Sequence, residues 1–125
     1  MPAKGITAIH WVDDLGDTPA RVNRDTGEMY LSRKYMRHMP QEHRLFVMLH
    51  EMAHVVLQTT DEEQADAWAF QQYADMGYSL KAGVKALTRV LNDKNPEHAW
   101  RMYLQLRRAQ DYDYRVNKNL KAYQS

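Results

Sequence analysis

Residues 41–58 read QEHRLFVMLHEMAHVVLQ, a stretch without glycine or proline. Ten of these side chains are apolar, and they are spread around the whole circumference that a helix would have. A surface helix is usually apolar on one stripe only, whereas a helix that is apolar on all sides is typical of the buried centre of a domain. The stretch therefore predicts a central helix around which the rest of the chain packs.

Cap signals after this helix predict three more helices. Residues 59–61 interrupt the pattern, and Thr60 with Glu63 fits a capping box that begins a helix ending at Asp75 or Met76. Gly77 is expected to terminate that helix, because glycine adopts the left-handed conformation of a helix C-terminus. The third and fourth helices are predicted to begin after Ser79 and Asn95.

The chain before the central helix is rich in strand and turn signals. Ile6 to Val12 is β-branched and aromatic, and Arg21–Asn23 and Glu28–Ser32 flank a loop with Gly27, which predicts a hairpin. Lys34 to Met39 is expected to form one helical turn. We therefore predict an α+β fold, with a small antiparallel sheet of about three strands packed on about four helices. Residues 1–125 form a single domain in this prediction, with 111–125 as a flexible polar tail.

The composition excludes several classes of function. Lys and Arg number 17 against 16 Asp and Glu, so the chain lacks the positive field that general nucleic-acid binding needs. There is no cysteine, so any metal must be held by His, Asp or Glu. No segment resembles a signal peptide or a membrane span, and we expect a cytoplasmic protein that contacts no membrane.

His50-Glu51-Met52-Ala53-His54 lies in the middle of the predicted central helix. Residues four apart share one helix face, so both imidazoles can approach one metal ion with Glu51 beside them. Random placement would give this pattern in the chain with a probability of roughly 1%. The alternative is two hydrogen-bonded core histidines, but burying them without partners costs several kcal/mol. We therefore predict one Zn²⁺ ion per chain, with Glu51 as the base for its water.

A catalytic zinc site needs a third protein ligand, and the sequence offers candidates soon after His54. Glu62 is favoured, because Asp66 follows it at the helical spacing of four and can orient the ring of a ligating histidine. Glu63 and Asp61 are the alternatives, although both are also suited to the first turn of a helix.

These two motifs resemble those of the gluzincin zinc metallopeptidases, in particular the minimal M48-like and ImmA/IrrE-like groups. The second motif of those groups reads E-x-x-A-D or E-x-x-A-N, as Glu62 to Asp66 does here. The resemblance covers roughly residues 28–73 and departs from the family in the very short gap before Glu62. It implies a zincin-like fold and a metallopeptidase in which His50, His54 and Glu62 bind zinc, Glu51 is the catalytic base and Asp66 lies in the second shell.

The resemblance implies hydrolysis of peptide bonds in a peptide or protein substrate. It also implies a donor that stabilises the tetrahedral oxyanion. Residues 95–101 resemble the H-P-x-x-x-x-R segment of the M48-like group, with Asn95 in place of its histidine. The metzincin pattern is excluded, because Leu57 and Thr60 stand where it has glycine and a third histidine. The candidate donors are Tyr78, His98, Arg101 and Tyr103, with Tyr112 and Tyr114 less favoured; core packing is the alternative for Tyr103 and a solvated side chain for Arg101.

The resemblance also implies that the strand Glu28–Ser32 is the sheet edge that receives an extended peptide through main-chain hydrogen bonds. Five aromatic residues are candidates for a substrate subsite, with core packing as their alternative: Trp11, Tyr30, Tyr35, Trp68 and Tyr73.

Two other functions compete with the peptidase. The first is a weak or inactive protein of the same fold that binds a partner, since residues 81–125 carry a net charge of +6 and residues 1–80 one of −5. The second is a zinc hydrolase of non-peptide substrates.

Overall fold

The computed structural model describes residues 2–91 and 94–117. Within them the strands come first and the helices follow, so the predicted α+β class is confirmed. The elements are β1 (Ala8–Val12), β2 (Ala20–Val22), β3 (Glu28–Ser32), α1 (Arg33–Met36), α2 (Gln41–Val56), α3 (Glu62–Asp75), α4 (Leu80–Val90), α5 (Pro96–Tyr112) and a π-helical turn (Asp113–Asn117).

The sheet is mixed, with the strand order β1-β3-β2. β2 and β3 form the predicted antiparallel hairpin, in which Arg21 is opposite Tyr30. β1 pairs with the other side of β3 and runs parallel to it, from Ala8 opposite Glu28 to Val12 opposite Ser32. The prediction of an entirely antiparallel sheet is therefore wrong at β1, because alternation along a strand determines its buried face but not its neighbour.

Gly27 in the hairpin has a φ of 79°, as the sequence predicts. Its position also allows a close approach, because a Cβ there would collide with the carbonyl oxygen of Gly5. Asn23 supports the turn, since its side-chain oxygen accepts hydrogen bonds from the backbone N–H groups of Asp25 and Thr26.

α2 separates two cores, which explains why it is apolar on all sides. On one side Phe46 and Leu49 pack with α3, α4 and α5, where Tyr73 is fully buried. On the other side Val47 packs against the sheet beside Leu31, which is also fully buried.

The helix caps agree with the sequence except at the start of α3. Ser79 and Asn95 cap α4 and α5 as predicted, and Gly77 follows the end of α3 with a φ of 87°. α3, however, is capped by Asp61, whose carboxylate accepts from the N–H groups of Glu63 and Gln64. The predicted Thr60 capping box is therefore wrong, because the reversal after α2 extends one residue further before the helix begins.

The predicted tail begins as ordered structure. α5 continues to Tyr112, and the π-helical turn extends it to Asn117. Residues 111–117 of the predicted tail are thus helical, and residues 118–125 lie outside the described part of the chain. In the parts of the chain that the structure describes, no helix combines the length and the apolar character needed to cross a membrane.

Candidate metal centre

Three side chains converge where α2 ends and α3 begins. His50 and His54 lie one turn apart on α2, and their Nε2 atoms are 3.2 Å apart. Glu62, the first residue of α3, places Oε1 2.9 Å from His54 Nε2 and Oε2 3.4 Å from His50 Nε2. The five residues between α2 and α3 form a short reversal, so the start of α3 returns directly beside His54. These three residues could hold one metal ion.

The spacing of the three side chains allows them to share one ion. An ion about 2.0–2.1 Å from each ligand atom separates those atoms by about 3.3 Å. The two Nε2 atoms are 3.2 Å apart, close to that value, whereas the contacts of 2.9 and 3.4 Å involve different oxygens of Glu62. One ligand atom from each of the three residues lies within 4.8 Å of the other two. Neither Asp61 nor Glu63 belongs to the group that converges here, which agrees with the preference for Glu62.

A backbone carbonyl orients His54. Its Nδ1 lies 2.8 Å from the carbonyl oxygen of Thr59, so Nδ1 carries the hydrogen and donates it. Nε2 is then left with a lone pair in the neutral ring and faces Glu62 and His50. Such contacts to the second ring nitrogen fix the tautomer of metal-binding histidines.

Asp66 stands behind His50, as the sequence predicts. Its side chain is fully buried, and its Oδ1 lies 2.8 Å from His50 Nδ1. The contact is one of charge rather than a well-aligned hydrogen bond, because His50 Nδ1 has no partner along its N–H direction.

Arg101 from α5 completes this cluster. Its Nε and Nη2 donate to the two carboxylate oxygens of Asp66 at 2.7 and 2.9 Å, and its Nη1 lies 3.3 Å from Glu62 Oε2. Arg101 is only 8% exposed, so the alternative of a solvated side chain is wrong. The sequence signal that pointed to it was the Asn95–Arg101 segment.

The electrostatics of the cluster favour charged side chains. Burial by itself lowers the pKa of His50, but the contacts with Asp66 and Glu62 outweigh it and raise the pKa to about 9. The contact with Glu62 likewise raises the pKa of His54 against the effect of burial. Burial raises the pKa of Glu62, but its two histidine contacts hold it far below its usual range.

Glu51 differs from the other carboxylates of the cluster. Burial raises its pKa to about 7, and the nearby His50 and His54 only partly oppose this. Glu51 lines a cavity of about 220 Å³ together with His50, Glu62 and His98. It therefore reaches the same space as the metal-ligating group without belonging to that group.

The other predicted contact residues are divided between the site and distant surfaces. His98 and Arg101 line the cavity beside Glu51. Tyr78 stacks on Tyr73 and borders a separate cavity, and the half-exposed Tyr103 stacks on Trp100. The two less favoured donor candidates do not line the cavity beside Glu51. Tyr112 is buried and donates to Asp75, and Tyr114 is exposed.

The strand order of the sheet contradicts the prediction that β3 is the edge that receives a substrate peptide. β3 is paired on both sides, so Glu28–Ser32 cannot accept a further strand. None of the five predicted aromatic subsite residues lines the cavity with Glu51, and Tyr73 is core. Sequence reasoning missed the residues that do line it from the sheet side, Asp17, Thr18 and Pro19.

Comparisons with protein family models, curated proteins and solved structures give no match for this chain. The resemblance to the gluzincins therefore remains a prediction based on its motifs.

Proposed function

We propose that the chain is a zinc-dependent metallopeptidase of the gluzincin type, with a zincin-like arrangement of its active-site helices. One observation carries the proposal: His50, His54 and Glu62 converge with one ligand atom each within 4.8 Å of the others, and Glu51 lines the cavity beside them. A structural zinc site usually has four protein ligands, whereas three ligands with an open fourth position are typical of a catalytic site.

The types of ligand in this group support zinc as the metal. Two imidazole nitrogens and one carboxylate are the ligands of known hydrolytic zinc sites, and Ca²⁺ and Mg²⁺ prefer sites made entirely of oxygen. The buried pair of Asp66 and Arg101 supports a fixed geometry, because it holds the carboxylate behind His50 and touches Glu62.

Zinc bound here would lower the pKa of a water molecule toward 7 and polarise the scissile carbonyl. Glu51 takes the proton of the attacking water and passes it to the leaving amine. Its partly desolvated position, within the same cavity as His50, suits a carboxylate that must both accept and release a proton. Of the four predicted oxyanion donors, we retain His98 and Arg101, since they line this cavity.

The substrate in this proposal is an extended polypeptide. β2 replaces the predicted β3 as the pairing edge, because it is an outer strand and the residues leading into it line the cavity. A second and more open cavity of about 630 Å³ adjoins the first and shares Glu62, His98 and Arg101 with it. A peptide that crosses the site would have room on both sides of the ligands.

The proposal is tested by metal content and cleavage together. Purified wild type and Glu51→Gln are assayed for bound zinc by mass spectrometry and for cleavage of an unfolded protein. Both should bind one zinc ion, while Glu51→Gln should lose activity by about 10²–10⁴-fold, the usual contribution of a general base. Glu42→Gln is the matched control, because Glu42 lies on the same helix but is exposed and far from the ligands in sequence.

The competing partner-binding function has one observation in its favour. Trp100 and Tyr103 are both 51% exposed and stack on each other, with Trp100 at the edge of the larger cavity. Zinc bound by wild type without cleavage of any peptide or unfolded protein would favour this alternative over the peptidase. Equal cleavage by wild type and Glu51→Gln would contradict the role given to Glu51.

A further inference from the structure

The reversal between α2 and α3 passes through Gln58, which has a φ of 49°. In the described residues it is the only residue besides glycine with a positive φ. This left-handed region is unfavourable for a residue with a Cβ, and such residues persist only where the surroundings hold them. Gln58 comes four residues after the metal-ligating His54, so its strained backbone belongs to the segment that leads out of the site.

The backbone around Gln58 is a Schellman motif. The N–H of Gln58 donates to the carbonyl of Val55, and the N–H of Thr59 donates to that of His54, each at 3.2 Å. Glycine commonly occupies this position, and Gly77 does so in the same motif at the end of α3. The chain thus uses glycine at one reversal and glutamine at the other.

The side chain of Gln58 makes hydrogen bonds that a glycine could not make. Its Nε2 lies 2.9 Å from three carbonyl oxygens, those of Ala3, Arg24 and Val55. An amide group has two N–H donors, so it can serve two of these oxygens at a time. Two of the three belong to the N-terminal segment and to the hairpin loop, so Gln58 ties the end of α2 to the sheet side of the molecule.

The residue after Gln58 is the one that orients His54. Thr59 donates its N–H to the carbonyl of His54 and accepts the Nδ1 hydrogen of the same residue. The direction of the Thr59 carbonyl follows from the left-handed turn at Gln58. We propose that Gln58 is a positioning residue of the metal centre, which holds the imidazole of His54 toward the ion by fixing the Thr59 carbonyl.

This inference rests on the metal site of the proposed function but not on peptide hydrolysis. It assigns a role to the N-terminal segment as well, because Ala3 and Arg24 hold the amide of Gln58. Outer partners of ligating histidines typically change metal affinity by about 10- to 100-fold when they are removed.

Two variants separate the side chain of Gln58 from its backbone conformation. Gln58→Ala removes the tether and leaves the strained left-handed turn without its support, whereas Gln58→Gly removes the tether and the backbone strain together. Gly77→Ala is the matched control, because an added Cβ there meets no atom within 4 Å and imposes only the backbone strain at an equivalent cap.

The readouts are the dissociation constant and the visible absorption spectrum of bound Co²⁺, measured on the full chain. Gln58→Ala should weaken Co²⁺ binding by about 10- to 100-fold and alter the spectrum, and Gln58→Gly should do so by a smaller factor. Gly77→Ala should leave both unchanged. If Gln58→Ala binds Co²⁺ with the affinity and spectrum of wild type, the inference is wrong. If Gln58→Gly matches wild type while Gln58→Ala does not, the tether acts by holding the left-handed turn, which supports the inference.

A second measurement needs no metal. The Nδ1–H of His54 should give a nuclear magnetic resonance signal that exchanges slowly in the metal-free wild type, because it is bonded to Thr59. Gln58→Ala should accelerate that exchange, and Gly77→Ala should not. Failure of wild type to bind any metal would overturn the proposed metal centre, while this exchange rate would still support or contradict the role of Gln58.

Discussion

Helix α2 carries three equally buried histidines, and the pKa of one is shifted in the direction opposite to the pKa of the other two. His43, His50 and His54 are each 8% exposed. The pKa of His43 is lowered, first by burial and then by the nearby Arg89, whereas the pKa values of His50 and His54 are raised by carboxylates. The comparison teaches that burial alone disfavours a charged imidazole, and that the partners from α3 reverse this effect. The end of α2 with His50 and His54, which is paired with carboxylates, offers the ligand atoms that a metal ion needs.

The largest expected difference between the two ends is in metal binding. His54→Ala removes a ligand and should weaken zinc binding by more than about 100-fold, since even the loss of an outer partner costs about 10- to 100-fold. His43→Ala should leave zinc affinity unchanged, although His43 is equally buried. Competition with a coloured chelator measures both. Equal losses in the two variants would mean that they act through folding rather than through a metal centre.

The next difference concerns the arginines near each end. Arg101→Met removes the two hydrogen bonds and the positive charge that Arg101 gives to the buried Asp66, and should lower the free energy of unfolding by about 3–5 kcal/mol. Arg89→Met, beside His43, should change it by less than about 0.5 kcal/mol, because Arg89 is exposed. Urea denaturation of the metal-free proteins provides the comparison. A small effect of Arg101→Met would show that the Asp66 carboxylate has another way to be neutralised.

The pH dependence of the metal-free protein should reveal His50. Its pKa rises from 6.5 to about 9 on folding, so protonated His50 stabilises the fold fully below pH 6.5. This contribution, at most about 3 kcal/mol, is lost as the pH rises through 9. Thermal or urea unfolding after chelation should show the loss, and bound zinc should abolish it because zinc requires the neutral ring. A metal-free stability that is flat from pH 6.5 to 9 would contradict the pairing of His50.

His43 should give the smallest effect, with the opposite sign. Its pKa is lowered on folding, so the folded state favours the neutral ring. The unfolded state then binds more protons as the pH falls through 6.5, and stability decreases toward acidic pH. The difference between wild type and His43→Gln in urea denaturation, measured from pH 7.5 to 5, isolates this contribution. An increase in stability toward acidic pH would contradict the environment described for His43.

Sequence patterns predicted the parts of this molecule that depend on local spacing. The central helix follows from the apolar run, the facing histidines from their separation by four residues, and the helix ends at Gly77 and Asn95 from their cap chemistry. The preference for Glu62 also came from local spacing, because Asp66 follows it by one turn. These features required no knowledge of which elements pack together.

The features that the sequence did not predict depend on distant parts of the chain meeting. The alternation in Ala8–Val12 predicts a strand but not that it runs parallel to β3. Arg101 was a candidate donor, yet its buried pairing with Asp66 depends on how α5 packs beside α3. The left-handed turn at Gln58 was not predicted either, because glutamine carries no sequence signal for it. The three carbonyl oxygens near its side-chain amide come from separate segments of the chain.

The buried pair of Asp66 and Arg101 has a consequence for when the candidate metal centre can form. The two histidines and Glu62 lie within thirteen consecutive residues, whereas the arginine follows Asp66 by 35 positions. During synthesis the ligands are therefore made well before their counter-charge. Until α5 docks, the carboxylates of Glu51, Glu62 and Asp66 surround the imidazoles without Arg101. The position of Asp66 behind His50 is then not yet fixed. In the proposed function, the chain therefore could not hold its metal centre in the described geometry until residue 101 has been made and α5 has docked.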